Sequence, residues 1–159
     1  MIDLNCVLGC KSILNLHRTA FLCSKGVSPD TVPIISRWAE SLDKSSTCVV
    51  CGYLMQIEQQ LAHKLMWDKV PLLLVLDEPL PRFFPSIFLQ AAADGLLAIV
   101  STAVSPDQSL DRLVSARIRN AFMIDNSDDI VVGYLNPNGT IHSQLDGHDN
   151  VTILGQDGL

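Results

Sequence analysis

The chain has neither a G-x-G-x-x-G fingerprint nor a G-x-x-x-x-G-K-[ST] loop, so the two commonest glycine-rich phosphate cradles are excluded. It also lacks any apolar run approaching the roughly 18 residues that span a bilayer. The start, Met1-Ile2-Asp3-Leu4-Asn5, has no basic stretch of a secretory signal, and a cytoplasmic location without membrane contact is expected. Positive charge is scarce: 11 lysines and arginines stand against 17 acidic residues, for a net charge of −6. Polynucleotide affinity comes largely from basic runs that displace counterions. A long DNA or RNA partner is thereby disfavoured, single-stranded DNA included, whereas a small phosphorylated ligand needs only a local positive pocket. Five cysteines are an odd count in a chain without an export signal, which argues for reduced thiols over a disulfide framework. Cys48-Val-Val-Cys51 has the spacing of half a zinc site, but no second pair stands at ligand spacing, and residues three apart on a strand face opposite ways. No metal and no cofactor are expected. Nothing assembles a nucleophile, a base and an orienting acid, so no catalytic residue is assigned.

What the chain does have is alternation. Its 159 residues, 48% hydrophobic, suffice for one core. Strands are expected at Arg18–Ser24, Thr47–Cys51, Pro71–Leu76, Leu97–Ser101, Asp129–Leu135 and Val151–Leu154. Between them lie a helix opened by Ser28 and Pro29 with Ile34, Ile35, Trp38, Ala39 and Leu42 on one face, a second over Leu54–Met66, and a third over Pro85–Ala93 stopped by Gly95. A fourth is opened by the capping box Ser105-Pro106-Asp107-Gln108 and continues through Leu110, Leu113, Val114, Ile118 and Phe122. Thr140–Leu145 is ambiguous. This order predicts an α/β, Rossmann-like, doubly wound and mostly parallel sheet of five or six strands with helices on both faces. A single domain over 1–159 is expected, with a capping segment at 1–17 and the core at 18–154.

Ligands of such sheets bind outside the carboxyl ends of the strands, where strand order reverses. Ser24, Lys25, Gly26, Gly52, Tyr53, Ser101 and Thr102 all follow strands there. Ser24-Lys25-Gly26 offers backbone amides and a counter-charge to a phosphate, though an ordinary turn between strand and helix has the same composition. Gly52 permits close approach and Tyr53 carries a ring able to stack on a base. Glu58 and His63, five apart on a helix, are rotated away from each other and are expected in surface or interface roles. Arg119 would lie about 18–20 Å along an unbroken helix from Pro106, at about 1.5 Å per residue, far from the ligand edge. A break before Arg117 would instead put Arg119 and Asn120 at a helix start. Asp125, Asp128 and Asp129 read as a solvated turn.

The segments Arg18–Lys25, Cys51–His63 and Arg119–Gly133, with the later Asn138-Gly139, resemble the Rossmann-like core of the DNA-processing protein A (Smf) family. Gly52 matches the glycine at the second strand end, Ile57-Glu58 stands where isoleucine-aspartate is usual, and Arg119-Asn120 matches an arginine-asparagine pair. Gln56 replaces a glycine of that pattern. The resemblance further places Ser24, Gly139 and Thr140 at the ligand edge, and implies a pocket for nucleotide or nucleic-acid phosphate; full-length relatives bind single-stranded DNA. The wider superfamily includes phosphoribohydrolases that cleave nucleoside monophosphates, whose P-G-G-x-G-T-x-x-E signature is replaced here by Asn136-Pro137-Asn138-Gly139-Thr140-Ile141-His142-Ser143. The leading expectation is therefore a non-catalytic, DNA-processing-type phosphate-binding module. Such hydrolysis is the alternative, and a homo-oligomer using the sheet as an assembly surface is a third reading.

Overall fold

The computed structural model describes residues 2–103 and 111–155. Besides two short 3-10 turns at Leu4–Cys6 and Lys11–Asn15, the described residues form seven strands and five α-helices: β1 (Leu8–Gly9), β2 (His17–Leu22), α1 (Thr31–Glu40), β3 (Thr47–Gly52), α2 (Gln56–Trp67), β4 (Leu72–Leu76), α3 (Ser86–Ala93), β5 (Leu97–Ser101), α4 (Arg112–Asp125), β6 (Asp129–Val132), α5 (Thr140–Gln144) and β7 (Val151–Ile153). They form one sheet in the order β1-β5-β4-β3-β2-β6-β7. Every pairing is parallel except that of β1 with β5.

The seventh strand, beyond the five or six expected, comes from the segment read as a cap. β1 is only two residues long and exposed, too short to leave a periodic signal. Gly9 makes it fit: φ is +88°, and a Cβ there would lie 2.3 Å from the Leu97 carbonyl oxygen. Cys10 N–H then donates to that same oxygen at 2.9 Å.

Strands β3 and β4 are aliphatic runs because both their faces are covered. On one face, Phe21, Val49, Cys51, Leu72, Leu74 and Ile99 pack under α1, α2 and α3. On the other, Ala20, Leu22, Cys48, Val50, Leu73 and Val75 meet Met123 and Ile124 of α4 and Ile141 and Leu145 at α5. Cys48 and Cys51 thus lie on opposite faces, as strand alternation requires. Each fully buried leucine of β4 contributes roughly 1.5–3 kcal/mol of transfer free energy.

Three element expectations are corrected. Helix α1 begins at Thr31, with Asp30 as N-cap. Ser28 instead anchors a preceding turn, its carbonyl accepting from Thr31 N–H at 2.9 Å. The strand expected to reach Leu135 ends at Val132. Three of the apolar positions expected on α4 face outward, Leu113, Val114 and Ile118 being 54%, 44% and 37% exposed, while Phe122 packs against the core and Arg119, Asn120, Met123 and Ile124 are buried. The buried arginine has a partner on α2, which is why the hydrophobic pattern misreads the inner face. The expected box at Ser105–Gln108 lies outside the described residues; α4 is capped by Asp111, whose side chain accepts from Leu113 N–H at 2.9 Å.

Candidate phosphate-binding crevice

The chain runs from β2 outward through β3, β4 and β5, and then α4 carries it back to the other side of β2, where β6 and β7 are added. Strand order therefore reverses between β2 and β6, and the crevice outside their carboxyl ends is the ligand position of open α/β sheets. Ser24 fills the bottom of that crevice. Its N–H donates to the Tyr134 carbonyl at 2.8 Å, and its Oγ accepts from Asn136 N–H at 3.0 Å. The two strand ends are thereby stitched together. The following turn is tightened by Asn138 N–H donating to Asn136 Oδ1 at 3.0 Å and Gly139 N–H donating to the Asn136 carbonyl at 2.9 Å. A Cβ on Gly139 would stand 3.7 Å from Ser24 Oγ, so Ser24 and Gly139 are neighbours, with Thr140 opening α5 beside them.

Next to this turn, a groove of about 370 Å³ runs between the β2–α1 loop and the first turns of α2. Ser24, Lys25 and Gly26 line one side, and Met55, Gln56 and Gln60 the other. Among the described residues, no acidic residue lines it and Lys25 is its one cation.

Gly52, Arg119 and Asn120 belong to a buried network beneath that edge. Arg119 Nη1 donates to Glu58 Oε1 at 3.2 Å, with the two side chains 4% and 1% exposed. Arg119 Nη2 donates to Asn120 Oδ1 at 3.0 Å. Glu58 Oε1 also accepts from the N–H groups of Leu54 and Met55, at 3.0 and 2.9 Å, so it caps the start of α2 from the third position. Glu58 is thus a core residue, and the expected surface role is corrected. Neither geometry expected for Arg119 holds. The helix begins late, at Arg112, and a helical side chain leans toward its own N-terminus, which carries the guanidinium back toward the strand ends from mid-helix. Gly52 makes room for the pair: a Cβ there would fall 2.6 Å from both Arg119 Nη1 and Glu58 Oε2. Its close approach is to the protein's own ions. Glu58 Oε2 and Arg119 Nε have no hydrogen-bond partner among the described residues.

Tyr53 is likewise engaged. Its hydroxyl is 2.6 Å from His63 Nε2, its ring stacks on His63 at 5.8 Å, and it meets the Phe88 edge at 5.3 Å. Burial raises its pKa. His63 is exposed, as the expected surface role has it, and its ring packs against Tyr53 and the edge of Phe88. Ser101 stands apart from the crevice, three strands from β2 or about 14 Å at the usual strand spacing; its Oγ donates to the Glu78 carbonyl at 2.6 Å. The thiols behind the site are not poised as nucleophiles, because burial pushes Cys23 up to about 11 and Cys51 well above its ordinary value. Among the described residues, no group of three or more histidine, cysteine or acidic side chains could hold a metal ion. Asp128 and Asp129 instead engage β2: Asp128 accepts from Arg18 N–H at 2.8 Å, and Asp129 Oδ2 lies 2.6 Å from His17 Nε2.

The solved structure of DNA processing protein A from Helicobacter pylori matches with a TM-score of 0.60 at 17% identity, over 79% of this chain and 58% of that one. The fold is that of DNA processing protein A. The Streptococcus pneumoniae protein agrees, with a TM-score of 0.57 at 15% identity over 76% of this chain and 42% of that one. This chain thus spans between about two fifths and three fifths of those two DNA processing proteins. No family model and no curated protein matches the sequence. The H. pylori DNA processing protein A binds single-stranded DNA. The likeness bears out the expected fold and the Rossmann-like reading of the core.

What sequence reasoning missed at Glu58 is its buried role, pairing with Arg119 and capping α2. Its position three residues after the helix-capping Met55 was the available signal, since a glutamate at that position reaches back to free amides.

Proposed function

We propose that the crevice between the ends of β2 and β6 binds the phosphate of a nucleotide or of a nucleic acid, as a non-catalytic module of the DNA-processing type. The observation that carries this reading is the contact of Ser24 with the Asn136–Gly139 turn at the point where strand order reverses, with Lys25 lining the groove beside Ser24. Ser24, Lys25, Gly26, Gly139 and Thr140 are the residues assigned to contact the ligand. Gly52, Arg119 and Asn120 position them from below, through the Glu58 pair that sets the start of α2. Tyr53 and Ser101 are not assigned contacts, because both are tied to other parts of the fold.

The hydrolase alternative has less support. A glycosidic cleavage needs a general acid or a carboxylate at the reacting centre, and the groove is lined by none. Titration calorimetry with nucleoside phosphates and short single-stranded oligonucleotides is expected to show saturable binding to at least one of them. Binding to neither would remove the reading. Prolonged incubation with nucleoside monophosphates should release no free base on chromatography.

A further inference from the structure

The groove beside Ser24 has a chemical character that narrows its ligand. Its volume of about 370 Å³ sits at the small end of the ~300–1,000 Å³ range of ligand pockets. Its single cation among the described residues is Lys25, whose ammonium enters no ion pair there. Arg119 cannot add a second charge, since its guanidinium is buried against Glu58. Ser24 is 7% exposed, and its Oγ acts as an acceptor toward Asn136, so its hydroxyl proton is available to a group entering the groove. Val27 and Met55 supply apolar wall. Gln56 and Gln60, four apart on the outer face of α2, place two carboxamides along the opposite rim.

Charge outside the groove is of the wrong sign for more phosphate. Asp30 follows Pro29, which lines the groove; Asp77 and Glu78 follow β4 on the same sheet edge, where Glu78 lies 3.9 Å from Arg112. A second or third phosphate leaving the groove past Pro29 would approach the Asp30 carboxylate.

We infer that this groove takes one nucleotide carrying a single phosphoryl group, with the phosphate at Ser24 and Lys25 and the nucleoside between the apolar wall and the glutamines. The inference rests on the phosphate-binding reading above and deepens it. A free mononucleotide and the phosphorylated end of a strand present the same chemistry to the groove, and a longer strand gains nothing from its other phosphates.

Calorimetry on the full chain at 50 and 200 mM salt tests this, with a nucleoside monophosphate, inorganic phosphate, and a ten-nucleotide single strand with and without a 5′-phosphate. A single contact predicts a loss of only about threefold in affinity across that salt range, whereas six contacts to a single strand would cost on the order of several hundredfold. Lys25→Gln should weaken the monophosphate about tenfold and flatten its salt dependence. Gln56→Ala with Gln60→Ala should weaken the monophosphate and leave inorganic phosphate unchanged. Tighter, steeply salt-dependent binding of the unphosphorylated strand would overturn the inference while leaving phosphate binding intact. Absence of binding to every probe would overturn both.

Discussion

Glu58 and Arg119 stand 61 residues apart in sequence and meet in one buried ion pair, packed against Gly52. Removing one partner leaves a desolvated charge, so Arg119→Met is expected to cost about 3–5 kcal/mol in urea denaturation. The double variant Arg119→Met with Glu58→Gln should recover most of that loss, because the glutamine oxygen still accepts from Leu54 and Met55 N–H. Gly52→Ala crowds both ions and should cost about 1–3 kcal/mol in the same assay. The segments carrying Gly52, Ile57-Glu58 and Arg119-Asn120 were recognisable one by one as family-like. Their mutual contact was not, because ion pairing between α2 and α4 depends on the crossover that lays one helix behind the sheet and the other in front. Thiols follow burial in the same way. Cys6 is exposed and Cys10 half-buried, whereas Cys23, Cys48 and Cys51 are buried, so a thiol reagent at pH 8 should label two cysteines in the folded protein and five after denaturation.

At the scale of elements, helices and interior strands were legible because their residues repeat with the right period, and β5 falls on the expected residues Leu97–Ser101. The failures have one cause, contacts that periodicity does not encode. β1 exists because Leu8 and Gly9 find the open edge of β5, pairing with Ile99 and Ala98. Gly9→Ala should therefore break that pairing: amide hydrogen exchange at Leu8, Gly9 and Cys10 should speed up, with little change in the amides of β3. The outward Leu113, Val114 and Ile118 of α4 show the converse case. There the apolar stripe implied one inner face, and the Arg119–Glu58 pair selected another.

For the molecule as a whole, buried thiols on both sides of the sheet couple stability to alkaline pH. Burial pushes Cys23 up to about 11 and Cys48 to about 12 from 9.0, so the folded state keeps protons that the unfolded chain loses above about pH 9. That contribution is fully present below pH 9 and is lost progressively between about pH 9 and 12. Thermal melts should show Tm falling from pH 9 to 11, and Cys48→Val should fall less steeply over that window. None of the helices among the described residues is long and apolar enough to cross a membrane. The sequence by itself determined the alternation of strand and helix, the mostly parallel sheet and its cover of helices on both faces, because these follow from local periodicity and from burying apolar faces. The net charge of −6 is likewise a property of the sequence alone. Only the tertiary structure decided that β2 and β6 meet where strand order reverses, that Arg119 spends its charge on Glu58, and that Lys25 is left alone at the groove. Those are outcomes of long-range crossovers, which no local pattern of residues carries.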